Sequence, residues 1–255
     1  MNMIDTHCHL YAEEFDGDRD AMIQRAIDSG VTQFYLPAID STDIAGMLAL
    51  EQKYPGVCKA MMGLHPCYVK ENYQEELAIV KDWLDKRPFA AVGEIGLDYY
   101  WDTAFKQQQQ DSFQLQMEWA VQKNMPIVIH TRNAMQETIE MVKPFADRGL
   151  KGIFHCFSGS YESATAIIKI GFLLGIGGVL TYKNAGLVEV LAKIDLKHLV
   201  LETDAPYLTP VPFRGKRNES SYLQYVLRKL SEIKQVPEVN IAAITTANAE
   251  KLFIH

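Results

Sequence analysis

Eight short apolar runs, rich in β-branched and aromatic residues, alternate with longer amphipathic segments along the 255-residue chain. No other feature narrows the fold as far. The runs lie at 3–5, 33–38, 57–63, 90–95, 126–129, 152–154, 172–176 and 199–201. Between them, apolar residues recur at helical spacing: Met22, Ile23, Ala26 and Ile27 before Gly30, then Leu77, Val80, Trp83 and Leu84 before Pro88. Phe113, Met117, Ala120 and Val121 do the same before Pro126, and Val226, Leu227, Leu230 and Ile233 follow Asn218, the expected N-cap. Eight βα units in one chain predict a parallel α/β barrel of the (β/α)8 TIM type rather than an open sheet. The segment 239–253 reads as an extra helix on the outside. No Pro-, Gly- or Ser-rich linker interrupts the pattern, so residues 1–255 are expected to form a single barrel domain.

A hydrophobic content of 48% with 22% charged residues is ordinary for a globular protein. The most apolar stretch, 170–180, is short and broken by Gly171, Gly175, Gly177 and Gly178, which excludes a spanning helix there. A first strand beginning almost at Met1 leaves no room for a targeting segment, and the expected location is cytoplasmic. Cys8, Cys58, Cys67 and Cys156 have no C-x-x-C spacing, so neither a disulfide framework nor a zinc knuckle is expected. The net charge of −7 argues against a passive nucleic-acid coat. It leaves open an enzyme that meets phosphate with metal ions and a few local cations. No feature points to an obligate protein partner.

Metal-type side chains recur where the strands should end. In Ile4-Asp5-Thr6-His7-Cys8-His9, strand alternation puts His7 and His9 on one side and Cys8 on the other. Paired imidazoles are costly to bury alone and suit one divalent ion. Glu94 in VGEIGLDYY, His130 in PIVIHTRN, His155 in GIFHCFSGS and Asp204 in LETDAPYLTP follow later strands. A barrel brings the C-terminal strand ends to one mouth, which makes six scattered residues a single metal site and the chain a metal-dependent hydrolase candidate. His130 and His155 taken singly would read as satisfied core histidines; the constellation decides.

Asp204 is the candidate base for an attacking water, with Glu202 on its face as a supporting residue. His65, before Pro66, reads as a phosphate contact or leaving-group acid, or else as a loop histidine bonded to backbone. Asp98 is expected to orient the Glu94 loop or a substrate group. Tyr99, Tyr100 and Trp101 either stack on bases or pack over the mouth. Arg132, Arg214, Lys216 and Arg217 are candidate phosphate contacts, the bland alternative for 214–217 being a solvated basic turn.

The motifs HCHL, GLHP, GEIGLDYY, HTR, HCFSGS, LETDAPYLTP and RGKRNE resemble, in order, those of the TatD-type metal-dependent deoxyribonucleases, from His7 to Leu252. The resemblance implies DNA as substrate and two divalent ions, whether zinc, magnesium or manganese. It implies His7, His9 and Asp204 on one ion, His130 and His155 on the other, and Glu94 bridging both, so that Glu94 serves catalysis as well as binding. One departure stands out: Ser220 occupies the position after RGKRNE where a proline is usual, and on sequence grounds it touches only a helix start.

Two other functions compete. An amidohydrolase or phosphotriesterase-type barrel would act on a small ester or amide, and many of these bridge their metals with a carboxylated lysine at the end of strand four. Glu94 fills that place and AAVGEIGLD holds no lysine. A barrel kept as a binding module would not need so complete a ligand set.

Overall fold

The structure is a computed structural model and describes residues 1–183 and 185–253; His255, for which the sequence offers no function, lies outside them. Eight parallel strands follow in chain order: β1 (Met3–Asp5), β2 (Val31–Pro37), β3 (Cys58–Met61), β4 (Val92–Asp98), β5 (Ile127–Arg132), β6 (Gly152–Phe154), β7 (Leu173–Ile176) and β8 (Leu199–Leu201). Continuous ladders join β1 to β3 and β4 to β8. Two seams close the ring. At one, Met62 bridges Val92 and the Gly93 N–H donates to Met62 O at 3.0 Å. At the other, the Thr6 N–H and hydroxyl both donate to Leu201 O at 3.0 Å. The fold is the (β/α)8 barrel that the alternation predicts.

Helices α1 (Arg19–Asp28), α2 (Ile44–Lys53), α3 (Tyr73–Lys86), α4 (Lys106–Gln122), α5 (Met135–Ala146), α6 (Tyr161–Lys169), α7 (Leu187–Lys193) and α8 (Leu223–Lys234) surround it. Each buries apolar residues on one side, and α4 buries Gln109, Ser112 and Gln116 with them. In α8, Leu223, Val226, Leu227 and Leu230 lie one above another at helical spacing and are buried. Among the described residues no helix is long and apolar enough to cross a membrane.

Three features depart from the sequence reading. First, β4 and β5 run past the apolar runs that announce them, pairing Gly96 with His130, Leu97 with Thr131 and Asp98 with Arg132. The pattern hides these residues because polar side chains break the apolar run: Asp98 bonds His130, Thr131 bonds Thr138, and Arg132 is exposed. Second, α9 (Glu238–Phe253) does not lie on the outer ring. Its Ala249 and Phe253 join Ile4, Tyr35, Met61, Val128, Ile153 and Val200 in one cluster, and Phe253 stacks on Tyr35 at 3.9 Å between centroids. Asn248 Nδ2 donates to Leu196 O and Leu199 O at the entrance of β8, so α9 seals the barrel floor opposite the mouth. Third, Asn218 is no N-cap. Buried, it donates through Nδ2 to Thr203 O (2.8 Å) and Tyr207 O (2.6 Å), clamping the loop after β8, while α8 starts at Leu223 behind a short 3-10 turn, Ser220–Tyr222.

Candidate metal centre

β1 delivers His7 and His9 to the mouth, and both face Glu94 from β4. Cys8 is buried on the other side, its thiol 3.6 Å from Tyr35 O. Glu94 is the centre of the site. Its Oε2 lies 3.1 Å from His7 Nε2 and 3.9 Å from His9 Nε2. Its Oε1 lies 2.9 Å from His130 Nδ1, 2.9 Å from His155 Nε2 and 3.3 Å from His65 Nε2. Asp204, at the end of β8, brings Oδ1 to 3.4 Å from His9 Nε2 and 3.7 Å from His7 Nε2. Its backbone sits at φ 56°, in the left-handed region that Asp tolerates, and its N–H donates to His7 O at 2.9 Å. The two oxygens of Glu94 therefore face two different groups of histidines.

Burial alone would raise the Glu94 carboxyl, yet His155, His65, His7 and His130 hold it well below the usual carboxylate range. Burial likewise pushes His155 down, but Glu94 and Glu202 more than reverse this and hold it well above its ordinary value. His130 is raised for the same kind of reason, with Asp98 and Glu94 outweighing burial. His7 is lowered, by burial and by the neighbouring His155. A cavity that favours a proton between carboxylates and imidazoles favours a cation in the same place.

A divalent cation fits these residues on geometric grounds. Both ring nitrogens of His7, Nδ1 of His155 and Oε2 of Glu202 are buried without a hydrogen-bond partner among the described residues. His7 Nε2 is thus close to Glu94 Oε2 without hydrogen-bond geometry toward it, so ring and carboxylate converge on a shared point. Metal bonds of about 2.1 Å put neighbouring ligand atoms roughly 3.0–3.4 Å apart, near the 2.9–3.9 Å seen around Glu94 and Asp204. The ligand atoms of four overlapping donor sets lie within 4.8 Å of one another: His7, His9 and Glu94; His7, His155 and Asp204; Glu94, His130 and His155; and His65, Cys67 and His130.

A supporting layer fixes the rings. Asp98 Oδ2 stands 2.8 Å from His130 Nε2, which leaves Nδ1 turned to Glu94. Glu202 Oε1 lies 3.4 Å from His155 Nδ1 and accepts from the Cys156 N–H. It seats there because β7 offers Gly175, where a Cβ would collide with Glu202 Oε2. Tyr11 OH contacts His9 Nδ1 at 3.1 Å and donates to Pro37 O at 2.6 Å. His65 Nδ1 accepts from the Cys67 N–H at 3.1 Å, so its proton resides on Nε2, toward Glu94. Two glutamines of α4 brace the strand ends: Gln116 brackets the Leu64 amide beside His65, and Gln109 brackets that of Asp98. Sequence reasoning missed Tyr11, Gln109 and Gln116. Only for Tyr11 was there a signal, its spacing of two from His9.

The basic residues divide. Arg132 and Arg214 are exposed and lie over aromatic rings, Arg132 over Tyr100 at 3.6 Å and Arg214 over Tyr182 at 3.8 Å. Lys216 is exposed beside Phe213. Arg217, expected on substrate phosphate, is engaged within the fold instead. Its guanidinium donates to Asp18 Oδ1 (2.7 Å) and Oδ2 (2.9 Å) and to Glu14 O (2.7 Å), and it covers the Phe15 ring. Asp18, in the loop before α1, is too distant in sequence to reveal that pairing.

The chain is similar to known proteins along almost its full length. The family model described as TatD related DNase matches residues 4–254. An uncharacterized metal-dependent hydrolase, YabD of Bacillus subtilis, is 39% identical over 252 residues, covering 98% of each chain. The crystal structure of YjjV, a TatD homolog from Escherichia coli, matches with a TM-score of 0.93 at 33% identity, covering 98% of this chain and 97% of that one. The 3'-5' ssDNA/RNA exonuclease TatD of Pantoea ananatis is 29% identical over 257 residues, covering 98% of this chain and 99% of its own.

Proposed function

Because the chain belongs to the TatD-related DNase family of metal-dependent hydrolases, we propose that it cleaves phosphodiester bonds of DNA as an exonuclease using two divalent cations. The observation that carries this reading is the division of Glu94, with Oε2 toward His7 and Oε1 toward His130 and His155. His7, His9 and Asp204 would hold one cation, His130 and His155 the other, with Glu94 shared. Bound cations supply Lewis-acid stabilisation of the charge that develops on phosphate oxygens. Asp204, the most exposed carboxylate of the centre, would take the proton of an attacking water. His65 presents Nε2–H from the opposite wall, as a donor to the phosphate or the leaving oxygen. Asp98 and Glu202 keep the second pair of imidazoles in one orientation. Arg132, Arg214 and Lys216 are the flanking phosphate contacts; Arg217 has no part in that track.

The exonuclease named at 29% identity supports a nucleic-acid substrate. The test is a substrate panel. Metal-replete protein is incubated with end-labelled single- and double-stranded DNA, RNA, and small esters and amides. Progressive shortening of DNA is the expected result. Turnover of a small ester or amide with intact DNA would overturn the reading in favour of an amidohydrolase.

A further inference from the structure

The loop after β4 carries an aromatic pair that the chemistry above does not use. Tyr100 is 52% exposed and Trp101 70%, their centroids 4.8 Å apart with the rings nearly perpendicular. Isolated apolar side chains on a surface need no explanation. These two are neither isolated nor loosely placed. The Arg132 guanidinium lies 3.6 Å from the Tyr100 centroid and 5.2 Å from that of Trp101, and it has no carboxylate partner among the described residues. The turn that displays them is held by Asp98, whose Oδ1 accepts from the Tyr100 N–H at 2.9 Å and lies 3.4 Å from the Trp101 N. The other oxygen of the same carboxylate stands 2.8 Å from His130 Nε2. One side chain therefore ties the aromatic turn to a residue of the metal centre, and β5 places Arg132 two residues beyond that histidine.

We propose that Trp101, Tyr100 and Arg132 form a shelf on which a nucleobase of the substrate stacks; this rests on the nucleic-acid reading above. An exposed indole offers a π-face to any base, and the guanidinium beside it meets the adjoining phosphate, the combination by which strands are held without sequence readout. Through Asp98 the shelf is in fixed register with His130, so a stacked base sets which phosphate reaches the metal centre.

The test is equilibrium binding of metal-loaded protein to two labelled phosphorothioate strands of equal length and charge, one with bases and one abasic, read by fluorescence anisotropy. The parent is expected to bind the base-containing strand about tenfold tighter. Trp101→Ala should erase that ratio while leaving abasic binding unchanged, and Trp101→Phe should keep most of it. Trp101 is mostly exposed, so neither variant threatens the fold. Equal parent affinity for both strands, or a ratio that survives Trp101→Ala, would overturn the shelf and leave the phosphodiesterase reading standing. Binding of neither strand would overturn both.

Discussion

Ser220 donates a 2.6 Å hydrogen bond to the buried carboxylate of Asp5. The same carboxylate accepts from the Thr203 hydroxyl at 2.6 Å and from the Thr203 N–H at 3.0 Å. Asp5 precedes His7 by two residues and Thr203 immediately precedes Asp204, so this knot joins the two chain segments that carry one half of the metal centre. The hydroxyl at position 220, which the sequence presents only as a missing proline, is a member of it.

Burial pushes the Asp5 carboxyl up to about 7, against the pull of Ser220 and Thr203. The folded value is raised above the unfolded one, so the stability this group contributes is complete below about pH 4 and is lost as pH rises through about 7. Ser220→Ala removes a donor that matters most to the ionised form. In metal-free protein it should cost about 1.5–3 kcal/mol near pH 8 and about 1 kcal/mol near pH 5.5. Urea unfolding at the two pH values checks this, and an equal cost at both would contradict it.

Arg217 and the exposed cations should behave in opposite ways. Arg217→Ala loses a forked contact with Asp18 whose partners are about one-third exposed, so its cost is about 1 kcal/mol of stability. The salt dependence of DNA binding should stay unchanged. Arg132→Ala or Arg214→Ala should leave the melting temperature alone and make the log–log salt slope shallower by about one. Paired thermal melts and binding isotherms at several salt concentrations measure both. A shallower slope for Arg217→Ala would return that residue to the phosphate track.

Asp98 fixes the orientation of His130, so Asp98→Ala should weaken metal binding about 10- to 100-fold. The loss should fall on the position served by Glu94, His130 and His155 and spare the one served by His7, His9 and Asp204. Calorimetric titration with manganese resolves the two sites. A uniform loss at both would make Asp98 a general support of the mouth.

What the sequence revealed follows from which interactions are local in pattern. His7, His9, Glu94, His130, His155 and Asp204 were legible because each polar residue interrupts or ends an apolar run, and barrel topology makes all strand ends neighbours. Asp98 and Arg132 were visible as residues but not as strand, since their pairing partners are each other. Tyr11, Gln109 and Gln116 act through specific tertiary hydrogen bonds that leave no periodic trace. The role of α9 was hidden because an apolar helix stripe is the same whether it packs on the ring or under the floor. Asn218 looked like a cap because Asn favours that position; tertiary carbonyls at Thr203 and Tyr207 claimed its amide instead.

In the proposed mechanism one carboxylate, Glu94, serves two cation positions and hydrolysis depends on it. Metal content per chain after dialysis against manganese, compared between the parent and Glu94→Gln, tests it most directly. Two ions are expected in the parent and fewer than one in the variant, with an unchanged circular dichroism spectrum and no DNA cleavage by the variant. Equal metal content with undiminished turnover would contradict it.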